Sequence, residues 1–141
     1  MIGRFPYKLL SKYPHLRPED VAIWKTFLST RPDFYDSVDY DLKVGRGRDY
    51  SEIPKDEFRA DMEYLSKKRI DVVGYKDNEI HIIELKPRAG FSAVGQVLGY
   101  AKLFEKTAPK GKRIVPVVIT DKEIPDVRSF CFKMDVLFLI I

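Results

Sequence analysis

The sequence predicts an α/β domain in which a mixed β-sheet is flanked by helices on both faces. Segments with strand-like and helix-like patterns alternate through the second half of the chain, which is typical of this class. Two apolar strands joined by a tight turn, Ile70 to Tyr75 and Glu79 to Leu85, carry hydrophobic residues on both of their faces. A sheet that is apolar on both faces is covered on both faces, so helices are expected on each side of it.

The length of the chain suits one such domain. With 141 residues, 45% of them hydrophobic, the chain is most simply one unit, with a helical part at 1–35 and a sheet core at 36–141. A short helix is expected from Pro6 to Tyr13. A second helix is expected to begin at Pro18, because the first helical turn does not need the N–H that proline lacks. Its apolar stripe consists of Val21, Trp24, Phe27 and Leu28.

The remaining elements follow from the spacing of apolar residues and from breaker residues. Pro116 indicates that its strand lies near a sheet edge or a bulge, since proline cannot donate a ladder hydrogen bond. The elements predicted outside the hairpin are a strand from Val38 to Val44, a helix from Pro54 to Ser66, a helix from Ser92 to Lys106, a strand from Arg113 to Thr120, a helix beginning at Pro125 and a strand from Val136 to Ile141.

Composition limits the classes of protein to consider. The single cysteine, Cys131, excludes an intrachain disulfide and a cysteine-based zinc site, and it agrees with a reducing, cytoplasmic compartment. No secretory signal follows Met1 and no apolar run reaches the roughly 18 residues of a membrane span, so no membrane partner is expected. The net charge is +4, and basic residues gather in the first 17 residues and between Lys102 and Arg113. Such clusters favour nucleic acid as a partner, or they are a solvated, lysine-rich surface.

The turn of the apolar hairpin sets the register of its two strands. Asp77 and Asn78 both tolerate left-handed backbone angles, so they suit a two-residue hairpin loop. With the turn there, Asp71 lies directly opposite Glu84. Two carboxylates in that position repel each other, and a divalent cation between them would relieve the repulsion.

The alternation of side chains adds a lysine to this pair. Glu84 and Lys86 share one face of their strand, and Leu85 points to the other. Arg69 is expected opposite Lys86 and on the face of Asp71. The same register predicts one apolar face made of Ile70, Val72, Ile83 and Leu85 and another made of Val73, Tyr75, Ile80 and Ile82.

Two carboxylates and a lysine suit the hydrolysis of a phosphodiester. This reaction needs a nucleophilic water, positive groups that neutralise the charge on the phosphoryl oxygens, and help for the leaving oxygen. Mg²⁺ supplies much of this, because it prefers oxygen ligands and keeps several of its waters. Asp71 and Glu84 are the expected anchor of the cation, and Lys86 is expected to orient the water or contact the phosphate.

These residues resemble the PD-(D/E)XK nuclease superfamily. Asp71 matches the aspartate of that motif, and Glu84-Leu85-Lys86 matches its second half. Ile70 stands where the motif has proline. The resemblance implies a restriction-endonuclease-like fold, Mg²⁺ or Mn²⁺ as the cofactor, and deoxyribonuclease activity.

A second element of the resemblance lies in the following helix. Gln96 and Tyr100 are similar to the QxxxY element of the RecB-like branch and lie one helical turn apart. The resemblance implies that Gln96 helps to orient the site, that Tyr100 supports contacts to DNA or phosphate, and that the backbone carbonyl of Leu85 joins the metal ligands. Many members add an acid from an N-terminal helix, for which Glu19 and Asp20 are the candidates. The alternative is that both are ordinary acids of a helix N-terminus.

Four arginines are candidates for contacts to nucleic acid. Arg69 and Arg88 suit bidentate contacts to a phosphate, or they form salt bridges that compensate the carboxylates. Arg46 and Arg48 lie beside glycines, as backbone-phosphate contacts often do, or they belong to a mobile surface loop.

The expected function is metal-dependent hydrolysis of DNA. A chain of this length has little room for a separate recognition domain, so structure-selective or nonspecific cleavage is expected, with a homodimer or a larger DNA-processing partner as open possibilities. The resemblance implies a role in DNA repair, recombination or phage DNA processing. The alternatives are a non-catalytic nucleic-acid-binding or assembly protein on the same fold, and a small interaction protein in which Asp71 and Glu84 pair by accident.

Overall fold

The computed structural model describes residues 2–47, 49, 59–60, 63–64 and 67–141, which form a six-stranded sheet with helices on both faces. Its elements are the strands β1 (Phe5–Pro6), β2 (Ser37–Val44), β3 (Lys68–Lys76), β4 (Glu79–Leu85), β5 (Arg113–Thr120) and β6 (Leu137–Ile140), and the helices α1 (Pro18–Thr30), α2 (Phe91–Glu105) and α3 (Pro125–Lys133). The strands follow chain order across the sheet; β1 to β4 are antiparallel, and β5 and β6 are added in parallel. The predicted α/β class with a mixed sheet is confirmed.

Two hydrophobic cores lie on opposite faces of this sheet. α1 covers one face, where the buried Trp24 donates a hydrogen bond from Nε1 to the Tyr40 hydroxyl at 2.8 Å. α2 and α3 cover the other face, and Val97 and the free Cys131 are among their buried residues. Helices are needed on both sides because the strands present apolar side chains in both directions. None of the helices in the described ranges is long and apolar enough to cross a bilayer.

The predicted helix from Pro6 to Tyr13 is wrong. Phe5–Pro6 forms an edge strand against Ser37–Val38, and the residues that follow are not helical. A tertiary contact anchors this segment beside α1, since the Tyr7 hydroxyl donates to the Arg31 carbonyl at 2.6 Å. Packing against the sheet and α1 therefore overrides the local helical spacing.

Most of the predicted helix from Pro54 to Ser66 lies outside the described residues. The four of its residues that the structure describes are helical, namely Arg59, Ala60, Glu63 and Tyr64. The last of these lies beside β2, where Lys43 Nζ is 4.8 Å from the centre of the Tyr64 ring.

The β3–β4 hairpin has the predicted register. Val72 pairs with Ile83, and Asp77 in the turn adopts the left-handed conformation with a φ of 51°. The paired residues end at Val72 and Ile83, so the two strands part at Asp71 and Glu84. The sheet therefore opens at the positions predicted to bind metal.

A break in side-chain alternation marks the same end of the sheet. The β2–β3 register places Asp41 opposite Asp71, and Asp41 has a φ of 52°, in the left-handed region. Ile70 packs in the core under α2, whereas Val72 packs under α1, although strict alternation puts both on one face. The prediction that Ile70 shares a face with Val72 is wrong because the pleat is interrupted between them.

Candidate active site

A cavity of about 240 Å³ lies at the end of the sheet where β3 and β4 part. α1 borders it through Asp20, and α2 borders it through Gln96 and Tyr100. All the residues predicted for catalysis line this one cavity. Its lining consists of His15, Arg17, Asp20, Arg69, Asp71, Glu84, Leu85, Lys86, Gln96 and Tyr100.

Asp71 and Glu84 lie beside each other in the cavity, close enough for each carboxyl group to shift the pKa of the other. Because the two groups titrate together, a proton held between them belongs to the pair and not to either residue. Asp71 Oδ2 also accepts the backbone N–H of Leu85 at 3.1 Å. This side-chain contact links the two strands beyond the end of their paired residues and holds the Asp71 carboxylate beside Glu84.

Burial is the main reason that both carboxyl groups keep a proton more strongly than usual. It raises the pKa of Asp71 to about 6 and the pKa of Glu84 to about 8. For Glu84 the next cause is the negative charge of Asp71, and the charge of Asp20 adds to the rise at both groups. The positive charge of Lys86 lowers both pKa values without offsetting burial. Near neutral pH the pair therefore shares one proton.

A third acid, Asp20, lies at the cavity in the first turn of α1. It is only 9% exposed, and its pKa is raised by burial and then by the charge of Glu19. Glu19 itself is exposed and does not line the cavity, since one step along a helix turns a side chain by about 100°. Of the two predicted candidates, the structure thus brings Asp20 to the site and leaves Glu19 outside it.

The acidic side chains described at this cavity do not by themselves form a complete set of metal ligands. In the part of the chain that the structure describes, no group of three or more His, Cys, Asp or Glu side chains is arranged to hold a metal ion. The expected metal ligands therefore reduce to the Asp71–Glu84 pair and the carbonyl of Leu85, whose residue also lines the cavity.

Lys86, Gln96 and Tyr100 complete the polar wall. Lys86 is exposed, and its charge acts on Asp71 and Glu84. Tyr100 is partly buried; burial raises the pKa of its hydroxyl first, and the charges of the two carboxyl groups raise it further. The hydroxyl therefore stays a hydrogen-bond donor near the carboxylates. Gln96 is exposed one helical turn before Tyr100, on the side of α2 that borders the cavity.

The predicted arginines divide into three groups. Arg69 lines the cavity, and its Nε lies 3.6 Å from Asp41 Oδ1, which is a salt bridge to a carboxylate other than those of Asp71 and Glu84. Arg46 and Arg88 are exposed and lie outside the lining of the cavity. Arg48 lies outside the described residues.

Sequence reasoning missed two residues that adjoin the site, His15 and Asp41. His15 Nδ1 is 3.0 Å from Arg69 Nη1, and His15 Nε2 is 3.3 Å from Asp41 Oδ2. The three side chains form a small cluster beside the carboxylate pair. Asp41 was accessible to sequence reasoning through the β2–β3 register, whereas nothing in the sequence around His15 indicates where it lies.

The chain matches no family model, no curated protein and no solved structure. The resemblance to the PD-(D/E)XK superfamily consequently rests on the residues that line this cavity, and it stays a prediction. The sheet order and the helices on both faces define an α/β protein with a polar site, lined by acidic and basic side chains, at one end of the sheet.

Proposed function

We propose that this protein is a nuclease that hydrolyses DNA phosphodiester bonds with Mg²⁺ or Mn²⁺. The observation that carries the proposal is the placement of Asp71 and Glu84 beside each other in a cavity that Lys86 also lines. Two acids, a lysine and the tyrosine of the next helix lie within one small space, which suits phosphoryl transfer better than a structural role.

The donor set fits a hard divalent cation. The positive charge of Lys86 does not return the pKa values of Asp71 and Glu84 to their ordinary range, so the pair keeps a proton near neutral pH. A divalent cation would neutralise the two carboxylates more completely than this proton does. Carboxylate oxygens are preferred by Mg²⁺, which needs few protein ligands because it retains waters. Asp71 and Glu84 would hold the ion directly, and the nearby charge of Asp20 would increase its affinity.

The chemistry that the cation would supply is a lowered pKa of a coordinated water and neutralisation of the negative charge on the phosphoryl oxygens. Lys86 would place its ammonium group against the phosphate and stabilise the charge that develops in the transition state. Tyr100 would donate a hydrogen bond from its neutral hydroxyl, and Gln96 would orient the groups beside it.

The substrate is proposed to be DNA on the basis of charge. Arg17 and Arg69 line the same cavity as the acids, and the first 17 residues carry four basic residues and no acid. Such groups contact the phosphate backbone without reading sequence, so structure-selective or nonspecific cleavage is proposed. The proposed context is DNA repair, recombination or phage DNA processing in a reducing, cytoplasmic compartment. The protein is proposed to act alone, as a homodimer or with a DNA-processing partner.

Incubation with circular single-stranded and double-stranded DNA tests this function. The parent protein should cut at least one substrate with Mg²⁺ or Mn²⁺ and neither in EDTA. Asp71→Asn and Lys86→Gln should remove cleavage, while their matched controls on exposed positions away from the cavity, Asp126→Asn and Lys122→Gln, should retain it. Metal-dependent cleavage that persists in Asp71→Asn would overturn the assignment, and DNA binding without any cleavage would favour the non-catalytic alternative.

A further inference from the structure

A second cavity, of about 350 Å³, adjoins the candidate active site. His15 lines both cavities, so they are direct neighbours. The second cavity lies along β2, and its residue Lys43 pairs with Arg69 of the active-site cavity across the β2–β3 ladder. A polymer bound at the acidic pair can therefore continue into the second cavity.

The second cavity combines an accessible aromatic ring with cations. Tyr64 is 54% exposed, and Lys43 Nζ and Lys67 Nζ lie 4.8 Å and 5.4 Å from the centre of its ring. Neither lysine forms an ion pair with a carboxylate among the residues that the structure describes. Arg4, by contrast, pairs with Asp39 at 3.0 Å.

We propose that this cavity binds an unpaired nucleotide of the DNA strand, next to the phosphate that is cleaved. The base stacks on the Tyr64 ring, and Lys43 and Lys67 contact the flanking phosphates. This inference rests on the proposed nuclease function and adds the form of the substrate: a strand that is single-stranded beside the site of cleavage.

The magnitudes favour a nucleotide over the present lysine–ring contacts. An exposed cation–π contact shifts an equilibrium by about 2-fold to 5-fold, so the two lysine contacts together contribute about 4-fold to 25-fold, whereas stacking of one base on an aromatic ring contributes about 5-fold to 150-fold. A base therefore displaces the ammonium groups from the ring, and the phosphates that it brings attract them. A purely apolar ligand would leave the charges of Lys43 and Lys67 unused, and a simple anion would leave the Tyr64 ring unused.

Binding of a fluorescently labelled oligothymidine, followed by anisotropy in EDTA, tests this inference without any turnover. Tyr64→Leu should weaken binding by about 5-fold to 150-fold, the contribution of one stacked base. Tyr64→Phe keeps the ring and should bind within about 2-fold of the parent protein. Lys43→Gln should reduce the slope of log affinity against log salt by about 0.7, the value for one phosphate contact on a single strand. Unchanged melting temperatures exclude misfolding as the cause.

Three outcomes would overturn the inference. They are no binding of the oligothymidine by the parent protein, equal affinity of Tyr64→Leu and the parent, and equal weakening by Tyr64→Leu and Tyr64→Phe. Each of these leaves the nuclease proposal standing, because Mg²⁺-dependent cleavage is measured separately and depends on Asp71 instead of Tyr64.

Discussion

The carboxylate of Asp71 accepts the backbone N–H of Leu85 at 3.1 Å, just beyond the last paired residues of β3 and β4. The contact supplies a partner for a backbone group at the point where the strands part. It also fixes Asp71 against Glu84, which precedes Leu85 in β4. The same hydrogen bond therefore lies both where the strands part and where the two acids are neighbours.

Without metal, the stability of the protein should fall as the pH rises. Both carboxyl groups have raised pKa values in the folded state, so above their ordinary pKa the folded protein binds more protons than the unfolded chain. The free energy of unfolding should then decrease from the ordinary pKa values of the two groups, 3.8 and 4.5, up to their folded-state values of about 6 and about 8, and level off above them. The slope is at most about 1.4 kcal/mol per pH unit for each proton. Urea unfolding in EDTA at about pH 5.5 and about pH 8.5 measures the decrease.

Glu84→Gln is the control for this prediction, because it keeps the shape of the side chain and removes its titration. Its unfolding free energy should depend less on pH than that of the parent. His81 does not disturb the comparison: its pKa is lowered by burial, so its protonation destabilises both proteins equally at acidic pH. The same pH dependence in both proteins would contradict the raised pKa values.

Asp20→Asn should slow cleavage, whereas Glu19→Gln should leave it unchanged. The charge of Asp20 acts on Asp71 and Glu84, while Glu19 lies outside the cavity. Loss of a group that does not bind the metal but acts on its ligands typically lowers metal affinity or activity by about 10-fold to 100-fold. Cleavage rates over a range of Mg²⁺ concentrations compare the two variants. An equal loss in both would contradict a specific role for Asp20 and show a general effect on α1.

Tyr35→Phe should lower stability without affecting cleavage. The Tyr35 hydroxyl is 2.9 Å from Nδ1 of the buried His81, whose Nε2 lies 3.0 Å from Glu79 Oε1. Removal of the hydroxyl leaves a buried ring nitrogen without a partner, which costs about 1–3 kcal/mol. Urea unfolding gives the loss, and the DNA assay should give the parent rate. A variant that folds as stably as the parent but has lost cleavage would connect His81 to the reaction.

Much of the site was predictable because it depends on one local feature. The turn at Asp77 and Asn78 fixes the register of the hairpin, and the register brings Asp71 to Glu84. The helix that follows β4 is amphipathic, and residues four apart on it share a face, so Gln96 and Tyr100 were expected together. These relations involve short stretches of chain and regular geometry.

The parts that failed depend on contacts between distant segments. The contact of His15 with Arg69 joins residues 54 positions apart, and no local pattern encodes it. Ile70 packs in the core under α2 instead of the core predicted for it, because the pleat is interrupted beside Asp41. A prediction from strict alternation of side chains does not include such an interruption. The choice of Asp20 over Glu19 depends on the rotation of α1 against the sheet, which is set by packing of its aromatic residues.

The exchange of the shared proton for a metal ion is the central claim, and calorimetric titration of the parent protein with Mn²⁺ tests it most directly. Repeating the titration in two buffers of different ionisation enthalpy measures proton release. Mn²⁺ should bind at neutral pH with release of about one proton, and binding should be lost in both Asp71→Asn and Glu84→Gln. Absence of Mn²⁺ binding to the parent, or equal binding by these variants, would contradict the account.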